Sequence, residues 1–309
     1  MLVRVHAASM HPDIWHLVTG RPYFLRLMGA GLGSPGGKIP GTDLAGVVER
    51  VGSGVTRFKA GDAVFGECVR GHQWLHGGAY AEYAAVPERS LARKPPGLGF
   101  EEAAALPTAA FIAYQAVFDE GALRPGEKVL VNGAAGGVGL FAVQLAKASG
   151  AHVTGVDGPG RLELLRKVGV DRALDYTVQD YTAGDERYDL VIDVPGRQSL
   201  SRCLRVLTPG GRYVYIGHDH FGATGGRWTG SLGRVLRLVL LQLMKGKRPR
   251  LPVFSETQVR LAALVRLFEE GKLVVPIDRV FSLAEVPAAL RHLQEGRARG
   301  KVVIKVGPG

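Results

Sequence analysis

The chain has 309 residues, with 46% hydrophobic content and 44 glycines, which suits an α/β protein of about two domains with a buried core. No apolar run reaches the ~20 residues of a membrane span. The nearest, Leu232–Met244, is interrupted by Arg234 and Arg237, while the two distant cysteines, Cys68 and Cys203, exclude a disulfide framework and a zinc knuckle.

Residues 2–7 alternate like a half-buried strand. Short strands punctuated by glycine follow at Thr42–Val51, Ala63–Glu67 and Ala79–Val86, the texture of a compact, mostly antiparallel β unit. Pro95-Pro96-Gly97 breaks that pattern, and Phe100–Phe118 is an alanine-rich helical stretch with Pro107 in its first turns. From Lys128 strands and helices alternate, with strands at Val129–Val131, His152–Val156, Ala173–Tyr176, Asp189–Val194 and Arg212–Gly217. Five strands with helical crossovers predict a parallel, doubly wound sheet.

Between Asp219 and Glu256 there is no acid, while Arg227, Arg234, Arg237, Lys245, Lys247, Arg248 and Arg250 accumulate. This basic segment reads as a solvated loop and helix, with attraction of an anionic ligand as the second reading. The net charge of +11 does not otherwise point to nucleic acid, because few aromatics interleave with the arginines. Ser255-Glu-Thr-Gln258 and Ser282-Leu-Ala-Glu285 are capping boxes opening two helices, stopped at Gly271 and Gly296, and Lys301–Val306 is a final strand. The start, Met1–Met10, lacks the charged-then-apolar layout of a signal segment, so a cytoplasmic setting is expected.

The densest chemical signal is Lys128–Gly139, K-V-L-V-N-G-A-A-G-G-V-G. A buried strand runs into Gly136, Gly137 and Gly139, then into the apolar helix Leu140–Ala148. Strand, glycine turn and helix form the context in which such a loop binds a dinucleotide: backbone approaches the pyrophosphate, and unpaired helix N–H groups face its charge. The first glycine of G-x-G-x-x-G is replaced by Ala134. Asp157 closes the next strand eighteen residues after Gly139, near the ~20 expected for the acid that holds an adenosine ribose. Its carboxylate favours the hydroxyls of NADH, while Arg161 is placed to clamp the 2′-phosphate of NADPH. The balance leans to NADH.

Several stretches together resemble the medium-chain dehydrogenase/reductase superfamily, in its zinc-independent quinone-oxidoreductase branch. They are Gly41-Thr-Asp-Leu-Ala-Gly-Val-Val-Glu-Arg-Val-Gly52, Gly61-Asp-Ala-Val-Phe-Gly66, Gly78-Ala-Tyr-Ala-Glu-Tyr83, Leu106-Pro107, the Ala134–Gly139 loop and Gly300-Lys-Val-Val-Ile304. The resemblance implies a Rossmann domain at residues 100–253 and a GroES-like, mostly β catalytic domain built from residues 1–99 and 254–309. It also implies a homodimer and a cleft taking NAD(P)H and a small quinone or α,β-unsaturated carbonyl. Relatives carry a further strand pair ahead of the matching region. Zinc-dependent relatives place a cysteine within the Ser9–Trp15 segment, a G-H-E at Gly41-Thr42-Asp43 and a four-cysteine lobe, none of which this chain has. His72 and His76 fall in a glycine-rich loop, so no metal site is expected.

By the same resemblance the catalytic candidates are His11 and Tyr23 as donors to the acceptor oxygen, and Trp15 as an apolar or stacking wall. Asp43 is either a pocket carboxylate or a strand-end hydrogen-bonding group. The cofactor set is Ala135, Gly136, Gly137 and Val138 in the loop, then Asp157, Gly158 and Arg161, then Tyr176, and finally Gly217 with His218. Two other readings share the fold: a non-catalytic NAD(P)H-binding protein of the crystallin or RNA-binding kind, and a zinc-free alcohol dehydrogenase.

Overall fold

A computed structural model describes residues 1–24, 26, 39–68, 77–217, 227–230, 232–244 and 257–307. Two sheets organise them. The first begins with β1 (Leu2–Met10), which leads through the short helix α1 (Asp13–Thr19). It continues with β2 (Asp43–Arg50), β3 (Ala63–Glu67), β4 (Tyr83–Ala85) and β5 (Leu91–Arg93). With β11 (Ile277–Ser282) and β12 (Lys301–Lys305) the order is β11-β12-β1-β2-β3-β5, with β4 also on β1, so strands from both ends of the sequence share one sheet. All these pairs are antiparallel except β11 with β12. Glycine makes the tight pairing possible at Gly46, where an added Cβ would lie 2.1 Å from the Arg4 carbonyl oxygen.

The helical stretch expected at Phe100–Phe118 is interrupted. Helix α2 (Phe100–Ala105) stops at Leu106, and α3 (Pro107–Tyr114) restarts with Pro107 at its first position before a π turn at Gln115–Glu120. Proline has no N–H for the preceding turn but suits a helix start, so the sequence breaks there rather than kinks.

The second sheet is parallel throughout, in the order β10-β9-β6-β7-β8. Its strands are β6 (Lys128–Asn132), β7 (His152–Asp157), β8 (Arg172–Asp175), β9 (Tyr188–Asp193) and β10 (Leu207–Tyr215). Helices α4 (Gly137–Ala148), α5 (Leu162–Lys167) and α6 (Leu200–Arg205) make the crossovers. Counted from β6, the order is that of a mononucleotide-binding sheet whose winding reverses between β6 and β9, which opens a crevice beyond the strands' carboxyl ends. Val129, Val131, Leu190 and Ile192 are fully buried in that sheet, and Phe141 and Leu145 of α4 close on it.

After α7 (Leu232–Met244) and α8 (Thr257–Glu269), the chain returns to the first sheet as β11 (Ile277–Ser282), α9 (Val286–Gln294) and β12 (Lys301–Lys305). The second capping box forms, with Ser282 N–H donating to Glu285 Oε2 at 2.8 Å. The first begins at Ser255 and Glu256, outside the described residues.

Candidate active site

A cleft of about 960 Å³ lies between the two sheets. One wall is the crevice of the parallel sheet. Gly133 (φ +79°) turns the chain after β6, and Gly136 is the extended N-cap of α4 with no side chain to cap it. The free N–H groups of that helix start therefore face the cleft, where negative charge is favoured. Gly139 is fixed by packing: an added Cβ would lie 2.1 Å from the Gly133 carbonyl oxygen and 2.7 Å from Ala134 Cα. The cradle fits a pyrophosphate.

Gly136, Gly137 and Val138 line the cleft, as do Asp157, Gly158, Arg161, Tyr176 and Gly217. Ala135 is buried behind the wall, and its N–H donates to Asp157 Oδ2 at 2.9 Å. Asp157 also accepts from Gly158 N–H at 2.9 Å and Arg161 Nη1 at 3.0 Å. Arg161 is further engaged by the Gly296 carbonyl oxygen. His218 lies outside the described residues.

The facing wall comes from the first sheet. His11 lines the cleft with Pro12 and Asp13, while Trp15 and Tyr23 are not among its walls. Trp15 is buried on α1, edge-on to His16 at 5.2 Å. Tyr23 packs edge-on against Trp228 at 5.2 Å, with the Arg26 guanidinium over its ring. The pattern around α1 signalled a pocket segment, but only its first turn reaches the pocket.

His11 Nε2 pairs with Thr42 Oγ1 at 2.7 Å, and that hydroxyl donates to Asp43 Oδ1 at 3.3 Å. A hydroxyl has one proton, so Thr42 accepts from His11 and the Nε2 position carries hydrogen. The second imidazole nitrogen, Nδ1, has no hydrogen-bond partner and stands 3.4 Å from Asp13 Oδ2. Burial alone would push the His11 pKa down. The carboxylates of Asp13 and Asp43 outweigh burial and the opposing charge of Lys301, and leave it raised above the ordinary histidine value.

Lys301 went unassigned from sequence, although the closing Gly-Lys-Val-Val-Ile carried it. It is 2% exposed, lines the cleft, and lays its Cδ 3.1 Å from the position of a Cβ on Gly137. Burial lowers its pKa, against the pull of Asp43 and Asp13. A residue of the first sheet thus reaches across to the α4 terminus. With Arg161, Arg197, Arg297 and Arg299 it makes the cleft basic, against Asp13, Asp157 and Glu295.

Comparisons with known proteins agree with this geometry. A family model described as alcohol dehydrogenase GroES-like domain matches residues 1–96, and one described as zinc-binding dehydrogenase matches residues 168–304. The chloroplast envelope quinone oxidoreductase homolog of Arabidopsis thaliana is 32% identical, over 98% of this chain and 88% of that protein. The 2-methylene-furan-3-one reductase of Solanum lycopersicum is 34% identical, over 98% and 71%. The solved structure of the quinone oxidoreductase from Coxiella burnetii superposes with a TM-score of 0.82 at 30% identity, covering 99% of this chain and 90% of that one.

The chain belongs to the medium-chain dehydrogenase/reductase superfamily, in its quinone-oxidoreductase-like branch.

The description of one matching model raises zinc, and the donors of this medium-chain dehydrogenase/reductase do not fit that metal. Catalytic zinc takes three ligands from thiolate, imidazole and carboxylate. Here Asp43, fully buried, already accepts from Ser9 Oγ at 3.0 Å, Thr42 Oγ1 at 3.3 Å, Thr108 N–H at 3.3 Å and Thr108 Oγ1 at 2.5 Å. Cys68 donates to the Gly41 carbonyl oxygen at 3.3 Å, and burial, then the Asp43 charge, push its thiol up to about 12. That keeps it a thiol, and three hydroxyls stand where a metal would need ligands. Among the described residues no group of three His, Cys, Asp or Glu is arranged to hold a metal ion; His72 and His76 lie outside them.

Proposed function

We propose that this protein reduces quinones or α,β-unsaturated carbonyls with NAD(P)H as hydride donor, works without zinc, and prefers NADH. The observation that supports this most is the single cleft joining the bare α4 terminus to His11 and its hydroxyl network. The match to relatives named for quinone and enone reduction supports the substrate class. The homodimer and cytoplasmic setting expected from sequence belong to the same proposal.

Gly136–Val138 and Lys301 would hold the pyrophosphate, and Asp157 the adenosine ribose. A nicotinamide bound there supplies hydride to an acceptor that is already electrophilic, so charge collects on the acceptor's oxygen. His11 is then the group that meets that charge. Among the described residues, the buried nitrogens lacking a hydrogen-bond partner are His6 Nε2, His11 Nδ1, Arg234 Nε and His292 Nδ1, and of these the one on His11 belongs to a residue of the cleft wall. With Nε2–H spent on Thr42, the proton His11 can give up is the one Nδ1 carries in the imidazolium. Asp13 and Asp43 favour that form.

The first test follows cofactor absorbance with a panel of quinones, enones and aldehydes. Turnover of quinones or enones that survives a strong chelator is expected. Cofactor binding without turnover of any of them, or loss restored by zinc, overturns the reading.

His11→Ala is expected to lower turnover roughly 10–1000-fold, the range for losing one donor or acid, with cofactor affinity kept. Because the acid form is the competent one, wild-type turnover should fall as pH rises through the raised His11 pKa, and the variant should lose that alkaline limb. Equal turnover and equal pH profiles would remove His11 from the mechanism.

For the nucleotide preference, Asp157→Ser should weaken NADH and strengthen NADPH, narrowing or inverting their ratio by roughly 10–150-fold, the worth of a charged-group hydrogen bond. Calorimetric titration of both nucleotides reads this directly. Tighter wild-type binding of NADPH than NADH would contradict the role given to Asp157.

A further inference from the structure

Helix α7 is mounted the wrong way round for a solvent-facing helix. One of its two arginines faces the protein: Arg234 donates to the carbonyl oxygens of Gly196 at 2.6 Å and Gln198 at 2.7 Å, and to Tyr213 Oη at 2.7 Å. It also pairs at 3.2 Å with Asp193, which is fully buried at the end of β9. The opposite side carries Leu232, Val235, Leu236, Leu240 and Leu243, a spacing that puts all five on one face. The four leucines are 49–59% exposed and Val235 is 43% exposed. A contiguous apolar stripe of this kind marks an interaction surface. Thirteen residues make about 20 Å of helix, and no helix among the described residues is long and apolar enough to cross a membrane.

Charge decides what covers the stripe. The sequence from Asp219 to Glu256 has no acid between those two residues and seven lysines and arginines, of which Arg227, ahead of the helix, and Arg237, on it, are exposed. In a two-fold contact with a second copy, the same patch meets itself, and this acid-free segment would set like charge against like. An anionic lipid surface is complementary: each basic residue near it contributes about 1 kcal/mol. Trp228, 72% exposed just ahead of the helix, is the side chain that settles at the headgroup level. We propose that α7 lies in the plane of an anionic membrane surface, its leucine face among the acyl chains, and docks the protein there peripherally.

Arg234 gives this docking a short route to the cleft. Asp193, its partner, also accepts from Asn132 Nδ2 at 2.9 Å, and Asn132 and Gln198 line the cleft. The docked helix is therefore braced on the residues that wall the crevice.

The test is co-sedimentation with phosphatidylcholine vesicles, with and without phosphatidylserine, at low and high salt. The protein should pellet with the phosphatidylserine vesicles only. Leu236→Ser with Leu240→Ser should weaken that binding by about 10–100-fold, from the apolar area lost, at an unchanged melting temperature because both positions are exposed. Arg237→Glu should weaken it and flatten its salt dependence. Three results would overturn the proposal: wild-type protein left in the supernatant, a double-serine variant that pellets like wild type, or a wild-type dimer that the double-serine change converts to monomer.

Discussion

Gly139→Ala is expected to unfold or severely loosen the nucleotide-binding sheet. The added methyl would sit 2.1 Å from the Gly133 carbonyl oxygen, with Ala134 Cα and C at 2.7 and 2.8 Å. All three are backbone atoms of the turn that follows β6, so none can swing aside, and α4 has to move off the strand. Overpacking a dense interior costs about 1–3 kcal/mol and more where nothing yields, so about 3 kcal/mol or more is expected here, with cofactor binding lost. Gly136→Ala is the control that separates packing from binding. Its φ is −75°, and the nearest atom to an added Cβ is the Gly133 oxygen at 3.3 Å. That variant should fold and melt close to wild type, yet bind NADH at least about tenfold more weakly, because the methyl stands over the bare helix terminus where a phosphate has to come. Thermal melts and calorimetric titration distinguish the two. A Gly139→Ala protein that melts with wild type would show that α4 can shift without cost. A Gly136→Ala protein with wild-type affinity would move the pyrophosphate away from this cradle.

The nucleotide half was legible because its information is local. Apolar patterning, a glycine turn and an acid at a fixed distance give the strand Val129–Val131 inside the observed β6, the helix Leu140–Ala148 inside α4, and Asp157 at the end of β7, without any partner in view. The first sheet was read less completely for the same reason. Three-residue strands such as Leu91–Arg93 are too short to show a period, and Ile277–Ser282, mostly half-exposed, hides its alternation. The pocket residues were the hardest. Tyr23 and Trp15 lie within twelve residues of His11 and suit the chemistry, but Trp15 packs inward on α1 against His16, and after the turn at Gly20 Tyr23 packs against Trp228. Lys301 and Thr108 reach it from distant parts of the chain, and neither spacing nor composition marks a contact such as Lys301 with Gly137 or Thr108 with Asp43, 65 residues apart.

Thr108→Val is expected to damage the other wall, first in stability and then in turnover. The Thr108 hydroxyl lies 2.5 Å from Asp43 Oδ1 and 2.9 Å from Glu67 Oε1, all three residues buried. Valine has nearly the same shape, so the change removes hydrogen bonding and little else. Two buried acid side chains then face each other without the hydroxyl that bridges them. Asp43 keeps its other donors, so what is lost is the hydroxyl's hydrogen bond to a carboxylate, worth about 1.5–3 kcal/mol, or roughly 3–9 °C in melting temperature for a chain of this size. Thr108→Ser keeps the hydroxyl and should stay within about 1 kcal/mol, the loss of one methyl group. The effect reaches the chemistry through Asp43, which ties Thr108 on α3 to Thr42 on the opposite side and so to His11 Nε2. Ser9 and the Thr108 N–H still hold Asp43 Oδ2, but Thr42 is then the one hydroxyl left on Oδ1, so its side chain is drawn toward the carboxylate and the contact that fixes the imidazole tautomer shifts. Turnover should therefore fall in Thr108→Val while NADH affinity, set on the other wall, stays near wild type. Valine and serine variants that melt alike would mean that the bridge carries no stability. A valine variant with wild-type turnover would mean that His11 is held by its packing and not by this chain of hydroxyls.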